Sequence, residues 1–194
     1  MIIGIVGYNL SGKDTAAEIL EKMGFTHYSL SNIIRDELKK EGKELTRENL
    51  IKKGVELREE FGIEVLADRI TETIKQDIKN QKQDFVITSI RHPTTIKLLR
   101  ERFSNFRVLH VEADEKIRYQ RLIGRNRGEK DASNFEEFIR IENLERKNTD
   151  PNKQSIQDCV EVADYIIINE ETIEELKYDV QKLVEQIRNE VGEK

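Results

Sequence analysis

An α/β domain built on a parallel sheet is the fold class the sequence predicts, and three observations predict it. Short apolar, β-branched runs alternate with longer amphipathic stretches along the whole chain. The first of these runs passes straight into glycines and then into a helical pattern. No internal repeat or low-complexity linker divides the 194 residues, so residues 1–194 are expected to share one core.

Each element has a local reason. Met1 to Val6 is apolar and β-branched, as expected of a strand buried on both faces. Lys13 to Met23 changes to helical period, with Ala16, Ala17, Ile19 and Leu20 apolar, and stops at Gly24. Thr26 to Ser29 reads as a second strand. Helical patterns follow over Asn32 to Glu41, Arg47 to Phe61 and Ile63 to Lys79, punctuated by Gly42 and Gly62. Phe85 to Ile87 and Arg107 to Val111 are the next strands. Between them a helix starts near Pro93, a residue favoured in a first turn because its missing N–H has no intrahelical partner there. Helices over Glu115 to Arg125 and Phe135 to Arg146 lead to a fifth strand, Tyr165 to Ile168, and Thr172 to Val191 closes the chain as a long amphipathic helix. Such alternation calls for helices on both faces of the sheet.

Composition limits the function classes. Formal net charge is only -5 although 37% of residues are charged, so no global field favours nucleic acid and any anion site must be local. Cys159 is the only cysteine, and with three scattered histidines it offers neither a disulfide nor a metal-ligand cluster. The first apolar run is far shorter than the roughly 20 residues needed to cross a bilayer, so a cytoplasmic protein without a membrane partner is expected. Nothing in the sequence decides between monomer and homodimer.

The chemistry concentrates at Gly7-x4-Gly12-Lys13, set between the buried strand and the first helix. That context defines a phosphate-binding loop: glycines let backbone N–H groups surround phosphates, and the lysine reaches the β/γ oxygens. The expected ligand is ATP, gripped by Gly7, Asn9, Leu10, Ser11, Gly12, Lys13, Asp14 and Thr15. A hydroxyl normally follows the lysine and binds Mg²⁺, but here Asp14 follows and Thr15 comes one later. A carboxylate is a hard oxygen donor suited to the same ion. The alternative is that Asp14 only favours the helix N-terminus, at roughly 0.3–1 kcal/mol.

These residues resemble the nucleoside-monophosphate-kinase-like branch of P-loop kinases along most of the chain. The Gly-Lys-Asp-Thr loop looks like that of phage deoxynucleoside monophosphate kinases. Ser29 to Arg35 resembles the segment whose arginine holds the acceptor phosphate, and Thr88 to Pro93 resembles the Asp-Gly-x-Arg segment whose arginine does the same. Ala163-Asp164-Tyr165 with Asn169 looks like the adenine-side stretch of dephospho-CoA kinases. The overall likeness is to archaeal dephospho-CoA-kinase-like proteins and to the kinase-like domain of some deoxycytidylate deaminases, without a deaminase signature. The resemblance implies strand order 2-3-1-4-5 and a small helical lid over about residues 115–131.

Two positions depart from the family pattern: Thr88 and Asn32 stand where carboxylates are expected. Asn32 cannot act as the base a hydroxyl acceptor needs, which favours a nucleotide-monophosphate acceptor over dephospho-CoA. Asp84 precedes its strand and so lies about 13 Å from the phosphate end, at about 3.3 Å per residue. Asp14 with Thr88, or with Ser89 beside it, is therefore expected to hold magnesium. Arg35, Arg91, Asn32 and Arg58 are expected around the acceptor, with Arg47 in the same helical region as Arg58. Arg118, Arg121 and Arg125 fall on one helical face and Arg127 continues it. In the resembling kinases Arg121, Arg125 and Arg127 would join Lys13 in neutralising the transferred phosphoryl group. His92 reads as polar surface, His27 and His110 as strand residues, and Tyr165, Phe85 and Cys159 as core. The rival readings are dephospho-CoA kinase and a nucleotide-binding regulatory module without turnover.

Overall fold

Five parallel strands make one sheet: β1 (Ile2–Val6), β2 (Thr26–Ser29), β3 (Phe85–Thr88), β4 (Phe106–Glu112) and β5 (Tyr165–Ile168), in the order β2-β3-β1-β4-β5. The structure, a computed structural model, describes residues 1–124, 134–146, 148 and 153–192. β1 lies at the centre, with Ile2 opposite both Phe85 and Phe106, and Val6 opposite His110. Every residue of β1 and β3 is buried, which accounts for their unbroken apolar sequences.

Helices cover both faces, and each face has its own core. On one side α1 (Lys13–Lys22) and α9 (Ile173–Gly192) place Ala16, Leu20, Val180 and Val184 against Ile3, Ile5 and Val111. On the other, α2 (Leu30–Lys40), α3 (Arg47–Phe61), α4 (Val65–Lys79), α5 (Pro93–Arg102) and α8 (Ile156–Glu161) cover Ile2, Val6, Ile87 and Val108. α6 (Glu115–Gly124) and α7 (Phe135–Arg146) complete the described helices.

Departures from the sequence reading have local causes. The second helix starts at Leu30 rather than Asn32, because Ser29 is at once the last residue of β2 and the extended N-cap of α2. The six-residue α8 is too short to show a period and was not predicted. His92, expected on the surface, is buried and caps α5 by accepting the Thr94 N–H on Nδ1 at 3.2 Å. Tyr165 is only half-buried and gives its hydroxyl to Glu190. Phe85 and Cys159 are core residues, as expected.

Candidate active site

In this parallel sheet β2, β3 and β1 are neighbours, so their carboxyl ends lie along one edge, the edge where ligands bind in open α/β sheets. The loop from Gly7 to Gly12 turns there with positive φ at Gly7 (139°), Leu10 (64°) and Gly12 (104°). A Cβ on Gly7 would lie well inside 3.0 Å of the Val111 carbonyl, and one on Gly12 equally close to the Asn169 side-chain amide. Both positions therefore need glycine for backbone conformation and for space. Gly12 caps α1 and accepts the Ala16 N–H at 2.9 Å, so the helix begins as the loop ends.

The inside of the loop is rich in donors. The Tyr8 carbonyl oxygen collects the Lys13 ammonium and, at 3.3 Å, the Ser11 N–H, two of the groups the loop would offer an anion. The Ser11 hydroxyl and His110 Nε2 are buried and without a hydrogen-bond partner among the described residues. Burial lowers the His110 pKa, Glu112 raises it and Lys13 lowers it further. Asp14 is exposed in the first turn of α1 and Thr15 is half-buried beside it. A closely approachable glycine backbone and a lysine at the start of α1 fit a triphosphate.

On the outside, α6 presents two arginines to the loop's carbonyls. Arg121 donates from Nη1 to Leu10 O (3.2 Å) and Ser11 O (3.4 Å), and from Nη2 to Asn169 O (2.7 Å). Asn169 donates its side-chain amide to Ser11 O at 2.8 Å and its backbone N–H to Glu112 O at 2.7 Å. Arg118, grouped with Arg121 by helical spacing, is instead buried and doubly paired with Glu142 of α7. Arg125 and Arg127 lie outside the described residues, as does much of the expected lid.

At the ends of β2 and β3 three hydroxyls gather. Ser29 Oγ lies 2.9 Å from both Ser31 Oγ and Ser89 Oγ, and Ser31 lies 3.2 Å from Ser89. Ser89 adopts a left-handed φ of 62°, uncommon outside glycine. Arg35 donates to Ser31 Oγ (2.7 Å) and Asn32 Oδ1 (3.1 Å), so Asn32 helps orient that guanidinium. Arg91 contacts Gln154 Oε1 at 3.3 Å, and its carbonyl accepts the Ser155 N–H at 2.9 Å. Arg58 is buried and donates to its own helix at Gly54 O (3.0 Å). The sequence reading did not find the serine cluster, because its members come from two chain segments about 60 residues apart.

For Mg²⁺ the donors are few. Thr88 is buried and its hydroxyl lies 2.8 Å from His27 Nε2; donation to the imidazole leaves lone pairs on Oγ1. Among the described residues no three His, Cys, Asp or Glu side chains gather to hold a metal. A single exposed carboxylate with a nearby hydroxyl suits an ion that keeps waters and phosphate oxygens in its shell. Asp84 bonds the N-terminal amine (2.9 Å) and Arg188 (3.1 Å) at the far end of the sheet. Among the described residues no helix is long and apolar enough to cross a membrane.

Residues 6–140 match the family described as the AAA domain. The UPF0200 protein of Methanothermobacter thermautotrophicus is 33% identical over all of this chain and 92% of its own length. That of Thermococcus kodakarensis is 31% identical over 96% and 98%. Among solved structures, shikimate kinase from Bacteroides thetaiotaomicron superposes with a TM-score of 0.55 at 16% identity, over 95% of this chain and 98% of that one. A gluconokinase from Sinorhizobium meliloti 1021 gives 0.56 at 14% identity, over 98% and 95%. At such identities these likenesses show the fold, that of small P-loop kinases.

Proposed function

Because the chain belongs to the AAA domain family and to the archaeal UPF0200 family, we propose that it is an ATP-dependent phosphotransferase acting on a small nucleotide monophosphate. What supports this reading is that the loop from Gly7 to Lys13 follows β1 while Ser31 and Arg35 follow β2 and Ser89 and Arg91 follow β3, all after the carboxyl ends of neighbouring parallel strands. The first suits a triphosphate and the others an anionic acceptor. Lys13 would leave the Tyr8 carbonyl to neutralise the β/γ oxygens, while N–H groups from Asn9 to Thr15 position them. An acceptor phosphate oxygen would attack the γ phosphorus in line as its bond to the bridging oxygen breaks, with ADP leaving. Arg35 and Arg91 would hold the acceptor by charge-assisted hydrogen bonds. Arg125 and Arg127 would close the donor side and limit water, while Arg121, expected with them, instead holds the Leu10 and Ser11 carbonyls from outside the loop. Asp14 and Thr88 would hold Mg²⁺, which when bound draws charge from the phosphate oxygens.

With Asn32 bonded to Arg35, neither it nor Thr88 supplies a base, and a monophosphate acceptor needs none. The test is ADP release over a panel of nucleoside monophosphates and dephospho-CoA, for wild type, Lys13→Ala, Arg35→Ala and Arg91→Ala. Turnover of a monophosphate that is lost in Lys13→Ala and falls about 10²-fold in kcat/KM in Arg91→Ala is the expected result. Dephospho-CoA as the best acceptor would overturn the substrate class. Tight ATP binding with no turnover on any acceptor would make the chain a nucleotide-binding module.

A further inference from the structure

Arg118 makes more contacts than a surface arginine needs. Its side chain is 4% exposed by residue and that of Glu142 is in a residue 7% exposed. Nε donates to Ala113 O (3.0 Å), both terminal nitrogens bond Glu142, and Nη1 also reaches Asn9 O at 3.3 Å. The guanidinium lies over the rings of Tyr8 (5.2 Å) and Phe138 (5.6 Å), and Arg146 lies over Tyr8 as well (5.5 Å). The Tyr8 hydroxyl is held by Gln157. A planar fork can do all this at once; an ammonium cannot.

The trans peptide turns these contacts into an orientation. The carbonyl of one residue and the N–H of the next share a plane and point opposite ways. Arg118 on Asn9 O therefore directs the Leu10 N–H away from α6. Arg121, one turn on, does the same for the peptides that carry the Ser11 and Gly12 N–H groups. The Ser11 N–H does point into the loop, onto the Tyr8 carbonyl that Lys13 also reaches. We propose that Arg118, clamped by Glu142, is a positioning residue that holds the outer carbonyl of the phosphate loop so that its amides face the nucleotide phosphates.

A buried pair could serve stability alone, and the two roles separate in a double variant. Replacing both members of a buried ion pair by apolar residues is often neutral for stability, whereas removing one strands a charge. Arg118→Met and Glu142→Met should each lower Tm, and the double variant should recover most of that loss. The double variant should still bind ATP·Mg²⁺ at least about tenfold more weakly than wild type, because nothing holds the Asn9 carbonyl. A double variant with wild-type affinity overturns the proposal. Arg118→Lys, which keeps the charge beside Glu142, decides the matter if the double variant does not fold. It should bind ATP·Mg²⁺ several-fold more weakly, and unchanged affinity would again overturn the idea. The inference rests on the nucleotide reading: absence of ATP binding by the wild-type chain defeats both, while wild-type binding with an unimpaired variant defeats this one alone.

Discussion

Gly12→Ala measures how tightly the phosphate loop is built. At φ 104° an L-residue is strained, which costs roughly 1–2 kcal/mol. The added methyl would also run into the Asn169 amide, which is buried and donates to Ser11 O. Displacing that amide leaves a buried donor poorly satisfied, at roughly 1–3 kcal/mol. The sum, about 2–5 kcal/mol, is a large part of the stability typical of a domain, about 5–15 kcal/mol. Urea unfolding of wild type, Gly12→Ala, Asn169→Ala and the double variant separates the two contributions. In the Asn169→Ala background the glycine substitution should cost only the torsional part, giving a coupling of about 1–3 kcal/mol. Equal costs of Gly12→Ala in both backgrounds would refute the packing of Asn169 against the loop, whatever the activity does.

Three further outcomes are expected. His110 has its pKa lowered by burial, so the unfolded chain takes up its proton first as pH falls; its contribution to stability is complete above about pH 6.5 and is lost as pH falls through the depressed value. Wild type should thus lose more unfolding free energy than His110→Gln between about pH 7.5 and about pH 5.5, and parallel losses would place the titration elsewhere. The Cys159 thiol is buried and its pKa is raised by burial and then by Asp158, so a disulfide-exchange reagent should modify the native chain negligibly and modify it fully once unfolded. Rapid modification of native protein would contradict that burial. Asp14→Asn should raise the Mg²⁺ concentration needed for ATP binding; an unaltered requirement would leave Asp14 as a charge that favours the start of α1.

What the sequence disclosed and what it hid divide along the range of the interactions. The loop was legible because Gly7, Gly12 and Lys13 act within one turn of chain, where spacing alone fixes geometry. Strand arithmetic likewise set Asp84 apart, and it is found bonded to the Met1 amine at the opposite end of the sheet. Helical spacing put Arg118 and Arg121 on one face, but it carries no information about what arrives at that face. Glu142, 24 residues later, does, and turns Arg118 into a buried support. The bond from Arg58 to the Gly54 carbonyl of its own helix is likewise not written in the spacing of its helix. The Ser29, Ser31 and Ser89 cluster depends on β2 lying beside β3, with Ser29 opposite Thr88, a pairing no local pattern encodes.

The central place of β1 also sets an order of events during synthesis. Its partners along the sheet are β3 and β4, so Ile2 must wait for Phe85 and Phe106. At about 5–20 residues per second, the growing chain carries its N-terminal apolar strand for several seconds before either partner exists. A nascent chain stopped before β3 would hold the complete Gly7–Lys13 loop and no sheet to anchor it. Ribosome-bound chains ending before Asp84 should therefore be protease-sensitive throughout, and protection of Ile2–Val6 should begin only when β3 and β4 have left the exit tunnel.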